Sequence, residues 1–255
     1  MSYVDAVFEQ NKGIVRVVER TKEGERKIID HPMRYYFYVD DPKGKQHSVY
    51  GDPVSKITAN NWKDFKRNVA IHQNKRTYES DLKPVNRVLA DHYLGVDAPD
   101  LHKCFFDIEV DFDPERGYSS PEDAFMPITS ISVYLDWMDK IVCLAVPPKT
   151  LNWEQAQKIA DSVGDTILFG NEKAMLDAFL SLIDDADILS GWNSEGYDIP
   201  YTVNRVIKVL GKSETRRLCL LDKNVVVRKY INHGRETQTY DLVGRVHLDY
   251  MQLYR

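Results

Sequence analysis

Phe105-Phe106-Asp107-Ile108-Glu109-Val110 is the stretch from which the rest of the chain is read. Aromatic and β-branched residues favour a strand here. Side chains alternate along a strand, so Asp107 and Glu109 share one face, ~6–7 Å apart, and Phe106, Ile108 and Val110 take the other. An acidic pair on an apolar strand is expensive to bury unless a cation sits against it. Carboxylate oxygens are hard ligands and suit Mg²⁺ or Mn²⁺. Taken alone, a D-x-E pair reads first as two solvated acids on an edge strand.

Working outward, Lys103 opens this strand and an acidic loop, Asp111–Asp123, follows it. Pro114, Gly117 and Pro121 keep that loop irregular. Ile128–Leu135 alternates, with Ile128, Ser130, Ser132 and Tyr134 expected on one face, and Lys140–Val146 is a third β-type run. Asn152 is expected to cap a helix with Trp153, Ala156, Ile159, Ala160 and Val163 on its inner side. A short strand, Thr166–Phe169, precedes a second helix capped by Asn171, with Met175, Leu176, Phe179, Leu180 and Ile183 as its apolar stripe. Three strands followed by alternating helices and strands predict a mixed sheet with helices on its faces.

The second informative segment is Gly191-Trp192-Asn193-Ser194-Glu195-Gly196-Tyr197-Asp198-Ile199-Pro200-Tyr201. An apolar strand, Ile188–Trp192, ends here, and two glycines with an Asn permit a tight turn. Pro200 suits the first turn of a helix running to Leu210 and closed by Gly211. Asp198 stands at that junction, where a carboxylate can point across the sheet. Its commoner role there is a helix cap, and Asn193 and Tyr197 also read as turn and core residues.

Upstream, residues 1–102 read as an α+β module. Arg34–Asp40 and Gln46–Tyr50 flank a turn signal, Asp41-Pro42-Lys43-Gly44, in a hairpin pattern. Asn60–Val69 sets Trp62, Phe65 and Val69 at helical spacing. Turn residues at Gly95–Asp100 mark the expected domain boundary. Downstream, Val225–Ile231 and Thr237–Leu242 flank Asn232-His233-Gly234-Arg235, a second hairpin pattern. Met251–Arg255 carries no helix stop, and the chain is expected to be a piece of something longer.

The 255 residues are 43% hydrophobic, enough to bury a core in one or two domains. No stretch approaches the ~18–20 apolar residues of a membrane helix. The N-terminus carries no basic-then-apolar leader pattern. Cys104, Cys143 and Cys219 lack C-x-x-C spacing, which argues against a zinc site or a disulfide framework. The formal charge is +2 over residues 1–102, −13 over 103–204 and +6 over 205–255. An acidic block between basic flanks suits carboxylates that hold cations beside groups that hold phosphates. On charge alone it reads as an acidic solvated face.

Together the two segments resemble the first two exonuclease motifs of family B DNA polymerases: FDIEV, then GWN-x-EG-[YF]-D-[IV]-PY. The second motif and the 205–255 tail, with its Leu248–Tyr254 ending, are most similar to the T-even-type phage replicative enzymes. The resemblance implies an α/β chain, with an N-terminal α+β domain over residues 1–102. An RNase H-like 3′→5′ exonuclease domain then covers 103–255, its mixed sheet flanked by helices. It implies Asp107 and Glu109 as first-motif and Asp198 as second-motif catalytic metal ligands, with two Mg²⁺ or Mn²⁺ ions in the complete site. The third motif, Y-x-x-x-D, is expected beyond residue 255, and Asp249 and Tyr250 are not assigned to it.

The implied activity is proofreading hydrolysis within a DNA-directed DNA polymerase in a phage-infected bacterial cytoplasm. The implied partner is DNA, entering as the single-stranded primer 3′ end and meeting Phe106, Asn193, Tyr197, Arg228, Lys229 and Arg235, with Phe125 a further stacking candidate. The hairpin carrying Arg228, Lys229 and Arg235 resembles the family's strand-separating hairpin. Other expected partners are the remainder of the polymerase and, through regions outside this chain, a sliding clamp; no membrane is expected. A self-contained nuclease of the same fold and a non-catalytic nucleic-acid-binding module are the alternatives.

Overall fold

The computed structural model describes residues 2–232 and 234–254, the side chains of Ser2, Asn232 and Arg235 excepted. His233, in the expected hairpin turn, lies outside the described residues. The chain divides into two compact units, Met1–Pro99 and Asp100–Arg255.

The first unit is α+β. Strands β1 (Ser2–Glu9), β2 (Ile14–Arg20) and β3 (Arg26–Pro32) form an antiparallel sheet. A second sheet, in the order β5-β6-β4-β7, contains β4 (Tyr35–Asp40), β5 (Gln46–His47), β6 (Pro53–Ala59) and β7 (Thr77–Tyr78). The expected pairing of β4 with 46–50 does not occur: β5 pairs with β6, and β4 lies between β6 and β7. Helix α1 (Trp62–Ile71), capped by Asn61, sets Phe65 against Phe37 with ring centroids 5.6 Å apart. Helix α2 (Pro84–His92) packs Val85, Val88 and Leu89 on Val15 and Val17.

The second unit is built on a six-stranded mixed sheet in the order β11-β10-β9-β8-β12-β15. Its strands are β8 (Lys103–Val110), β9 (Ile128–Leu135), β10 (Lys140–Ala145), β11 (Thr166–Leu168), β12 (Ile188–Gly191) and, after the β13–β14 hairpin, β15 (Val246–Asp249). The β8–β9 and β9–β10 pairs are antiparallel, whereas β10–β11, β8–β12 and β12–β15 are parallel. This is an RNase H-like mixed α/β arrangement. β12, flanked on both sides, is buried along its whole length, as expected for a parallel strand inside a sheet.

Helices α3 (Trp153–Val163) and α4 (Glu172–Leu182) have the Asn caps expected of them, α3 with a full capping box to Gln155. The α4 stripe is buried as the spacing predicts. The α3 stripe is not: Trp153, Ile159 and Val163 are exposed and only Ala156 and Ala160 are covered, because α3 lies against the short strand β11 and outside the main core. Helix α5 (Asp198–Val209) completes the core with Ile199, Tyr201, Val203 and Val206. Arg205 of α5 and Glu172 of α4 form a buried ion pair, and Glu172 also accepts a 2.9 Å hydrogen bond from the Ile128 amide. The hairpin β13 (Val226–Asn232) and β14 (Arg235–Asp241) pairs from Val226↔Asp241 to Asn232↔Arg235.

Candidate active site

Along β8 the side chains alternate as read from the sequence: Cys104, Phe106 and Ile108 are buried, Asp107 and Glu109 exposed. The strict alternation expected in β9 holds for Ser130, Ser132 and Tyr134 but fails at Ile128, which is buried with the core set Ile131, Val133 and Leu135. A bulge opposite Glu109 and Val110 accounts for it, since one extra residue moves a side chain to the other face.

β12 pairs with β8 only as far as Ser190↔Phe105. Further along, β8 has no strand on that side among the described residues, and its amides need another acceptor. Asp198 supplies one: its Oδ1 accepts from the Ile108 amide at 3.2 Å. Asp198 is the first residue of α5 and is not its cap, so the helix-capping role is not the one it plays. The intervening turn starts at Gly191, where a Cβ would stand 2.6 Å from the Phe106 carbonyl oxygen, so only glycine lets the two backbones approach. Asn193 then takes a left-handed φ of 55°, which Asn tolerates, and its carbonyl accepts from the amides of Gly196 and Tyr197.

Asp198 is 3% exposed. Burial raises its pKa to about 7, and the neighbouring charges of Asp107 and, less strongly, Asp249 add to the rise, against the Ile108 amide that lowers it. No cation is among the causes. A buried carboxyl facing a second carboxylate, without a cation, is the donor chemistry that a hard divalent ion satisfies. Asp107 and Asp198 are thus brought together. Glu109 shares the Asp107 face, but among the described residues no three His, Cys, Asp or Glu side chains gather closely enough to ligate one ion.

The residues expected to meet DNA fall in different places. Phe106 is 3% exposed and packs on Phe179, centroids 5.4 Å apart, so it belongs to the core and is not a stacking platform. Tyr197 is half-buried beside the site and stacks on Tyr201; burial first, then the charges of Tyr201, Asp198 and Glu109, raises its pKa. Asn193 is exposed on the turn. Phe125 carries the Arg116 guanidinium over its ring at 3.7 Å. Arg228 is engaged by two carboxylates, Glu195 and Asp241, and Lys229 by Glu236. The Arg235 side chain lies outside what the structure describes.

Beside Asp107 runs an apolar cleft of about 430 Å³ that the sequence reading missed, lined by Phe105, Ser132, Tyr134, Ile141, Trp192 and Tyr250. Trp192 is 57% exposed there, and Tyr254 lies against it, centroids 5.9 Å apart. The signal was available: Phe105 has the same parity as Asp107 on β8, and Phe106 the opposite one.

An acidic strand at the centre of a mixed sheet, with a further carboxylate delivered from α5, the helix that follows β12, defines an RNase H-like mixed α/β fold. The profile of the DNA polymerase family B exonuclease domain matches residues 53–255, and the chain belongs to that family. It is 29% identical, over 93% of its length, to the DNA-directed DNA polymerase of Escherichia phage RB69. It is 32% identical, over 41% of its length, to that of Enterobacteria phage T4, and 24% identical, over 78%, to a DNA polymerase delta catalytic subunit of Plasmodium falciparum. The chain spans 28%, 12% and 19% of those three proteins. Among the described residues no helix is long and apolar enough to cross a membrane.

Proposed function

We propose that this chain is the proofreading part of a phage-type replicative DNA polymerase, with residues 1–102 as an N-terminal domain and 103–255 as the 3′→5′ exonuclease domain. Asp107, Glu109 and Asp198 are the acids that hold Mg²⁺ or Mn²⁺. Such ions, when bound, lower the pKa of a coordinated water and offset charge that develops on a phosphate. The carrying observation is that Asp198 reaches the Ile108 amide, between the two acids of β8, with its carboxyl poised near pH 7.

The chain's own residues then have distinct tasks. Asp107 and Asp198 repel one another, so the pair favours any cation placed between them. The raised pKa lets Asp198 carry a proton near neutrality and give it up when positive charge arrives. Tyr197, at the start of α5, flanks the carboxylates with a phenol that stays protonated at neutral pH. The cleft over Phe105, Tyr134 and Trp192 offers aromatic faces on which the bases of a single strand can stack.

End-labelled single-stranded oligonucleotides test the reading. With Mg²⁺ or Mn²⁺, label at the 3′ end is expected to be released first and singly, and EDTA to stop it. Release from the 5′ end, or internal cuts, would contradict it.

A further inference from the structure

The turn that delivers Asp198 is held from outside by the C-terminal part of the unit. Glu195, three residues before Asp198, is the point at which these contacts meet. Its amide donates to Asp249 Oδ2 at 3.2 Å, and its carbonyl accepts from the Thr239 hydroxyl at 3.0 Å. Its carboxylate pairs with Arg228 of β13 and accepts from the side chain of Gln252. The Glu195 side chain is only 12% exposed. One residue earlier, the fully buried Ser194 hydroxyl lies 3.2 Å from the Gly191 carbonyl and 2.9 Å from His247 Nε2. The Ser194 carbonyl in turn accepts from the Ile199 amide at 2.9 Å, so displacing this turn displaces the start of α5.

These contacts are more than the turn's own folding requires. The Asn193 carbonyl already closes it through Gly196 and Tyr197. Glu195 adds partners from β13, β14, β15 and the segment after β15, and through its carboxylate it ties β13 to the turn. A half-buried carboxylate is costly to leave unpaired, so the Glu195–Arg228 link holds the turn more firmly than an exposed pair would.

We propose that Glu195 is a positioning residue: its ion pair with Arg228 fastens the β13–β14 hairpin to the turn, and so sets how firmly Asp198 is held at the Ile108 amide. Displacement of the hairpin is thereby transmitted to the candidate site. The functional weight of this link rests on the nuclease reading above, but its test does not, because the Ile108 amide reports the position of Asp198 without any catalysis.

The experiment is residue-resolved amide hydrogen exchange on the full chain in EDTA, comparing wild type with Arg228→Met, Glu195→Gln and the double variant. Arg228 is 42% exposed in its side chain, and Glu195→Gln, which removes the charge that Arg228→Met leaves unpaired, separates loss of the link from the cost of that charge. Each single variant is expected to speed exchange at Ile108 on the order of tenfold, with the amides of Val133 and Val142 unchanged. The double variant is expected to be no faster than the faster single one, because both remove the same link. Wild-type exchange at Ile108 in both single variants, additive effects, or equal acceleration at Val133 and Val142 would each overturn the proposal, the last by showing a general loss of stability.

Discussion

Asp198 reaches back across the sheet to Ile108: its Oδ1 takes the amide hydrogen that β12 would have taken had it continued past Gly191. A side chain thus replaces a strand at the place where two further acids of β8 face outward. This one contact fixes Asp198, joins two motifs far apart in sequence, and confines a carboxyl beside Asp107.

The raised pKa of Asp198 makes stability depend on pH. The folded state holds this proton up to about pH 7, whereas the unfolded state releases it near 3.8. Between those values the folded form binds more protons, so stability falls as pH rises and levels off above pH 7. The shift corresponds to about 4 kcal/mol. Urea unfolding in EDTA is expected to show wild type losing stability from pH 5 to pH 8 relative to Asp198→Asn, which keeps the acceptor and lacks the charge. Parallel pH profiles for the two proteins would argue against the buried, cation-free carboxyl.

Gly191→Ala is expected to destabilise the second unit by about 1–3 kcal/mol. The new methyl meets the Phe106 carbonyl oxygen at 2.6 Å and Ser194 Cβ at 3.0 Å, and backbone must yield. The same substitution at Gly170, where a Cβ would meet nothing within 4 Å, serves as the control. Thermal melting of the two variants checks the contrast.

How much of this was legible depended on whether local pattern or tertiary contact decided each feature. The parity of β8, the α4 stripe and the Asn caps follow from spacing alone, and the structure agrees with the reading. The parity of Phe106 opposes Asp107: both Phe105 and Phe106 border the cleft, but Phe106 is buried, and Phe105, two residues before Asp107, is the more exposed of the two. Ile128 fell to a bulge, which alternation cannot reveal. The α3 stripe has a helical period, but period does not say whether a partner covers it. The sequence reading does not include β1, β2 and β3, and it pairs β4 with 46–50, because strand partners depend on the whole sheet. Glu195 looked like one residue of a turn; its partners, from Arg228 to Gln252, become neighbours only after folding.

The Arg205–Glu172 pair ties α5 to α4 in a nearly dry setting, both side chains 11% exposed. Glu172→Ala leaves Arg205 charged and short of a partner, and the expected cost is about 3–5 kcal/mol. Lys158→Ala, which removes an exposed pair with Glu154, is expected to cost roughly 0.5 kcal/mol or less. Chemical denaturation of the two variants separates the cases.

Of Arg228 and Lys229, two of the three basic residues expected on DNA, Lys229 is the better placed. Arg228 already lies between Glu195 and Asp241, while Lys229 answers to a single exposed Glu236. Lys229→Ala is expected to lower the slope of log K against log salt for single-stranded DNA by about 0.7, the value for one phosphate contact. An unchanged slope, measured by fluorescence anisotropy across a salt series, would remove Lys229 from the interface.

The central claim is that Asp107 belongs to a nuclease site and is not a structural acid. Its most direct test is Asp107→Ala in a polymerase chain long enough to include the third motif that the family resemblance implies, assayed for both single-strand binding and release of a 3′-labelled nucleotide. The variant is expected to fold and to bind DNA as well as wild type, or better, because a negative charge beside the substrate path is gone. Hydrolysis is expected to fall by ~10³-fold or more, as several kcal/mol of transition-state stabilisation are lost. A folded Asp107→Ala protein that binds DNA and releases the 3′ nucleotide at the wild-type rate would contradict the account.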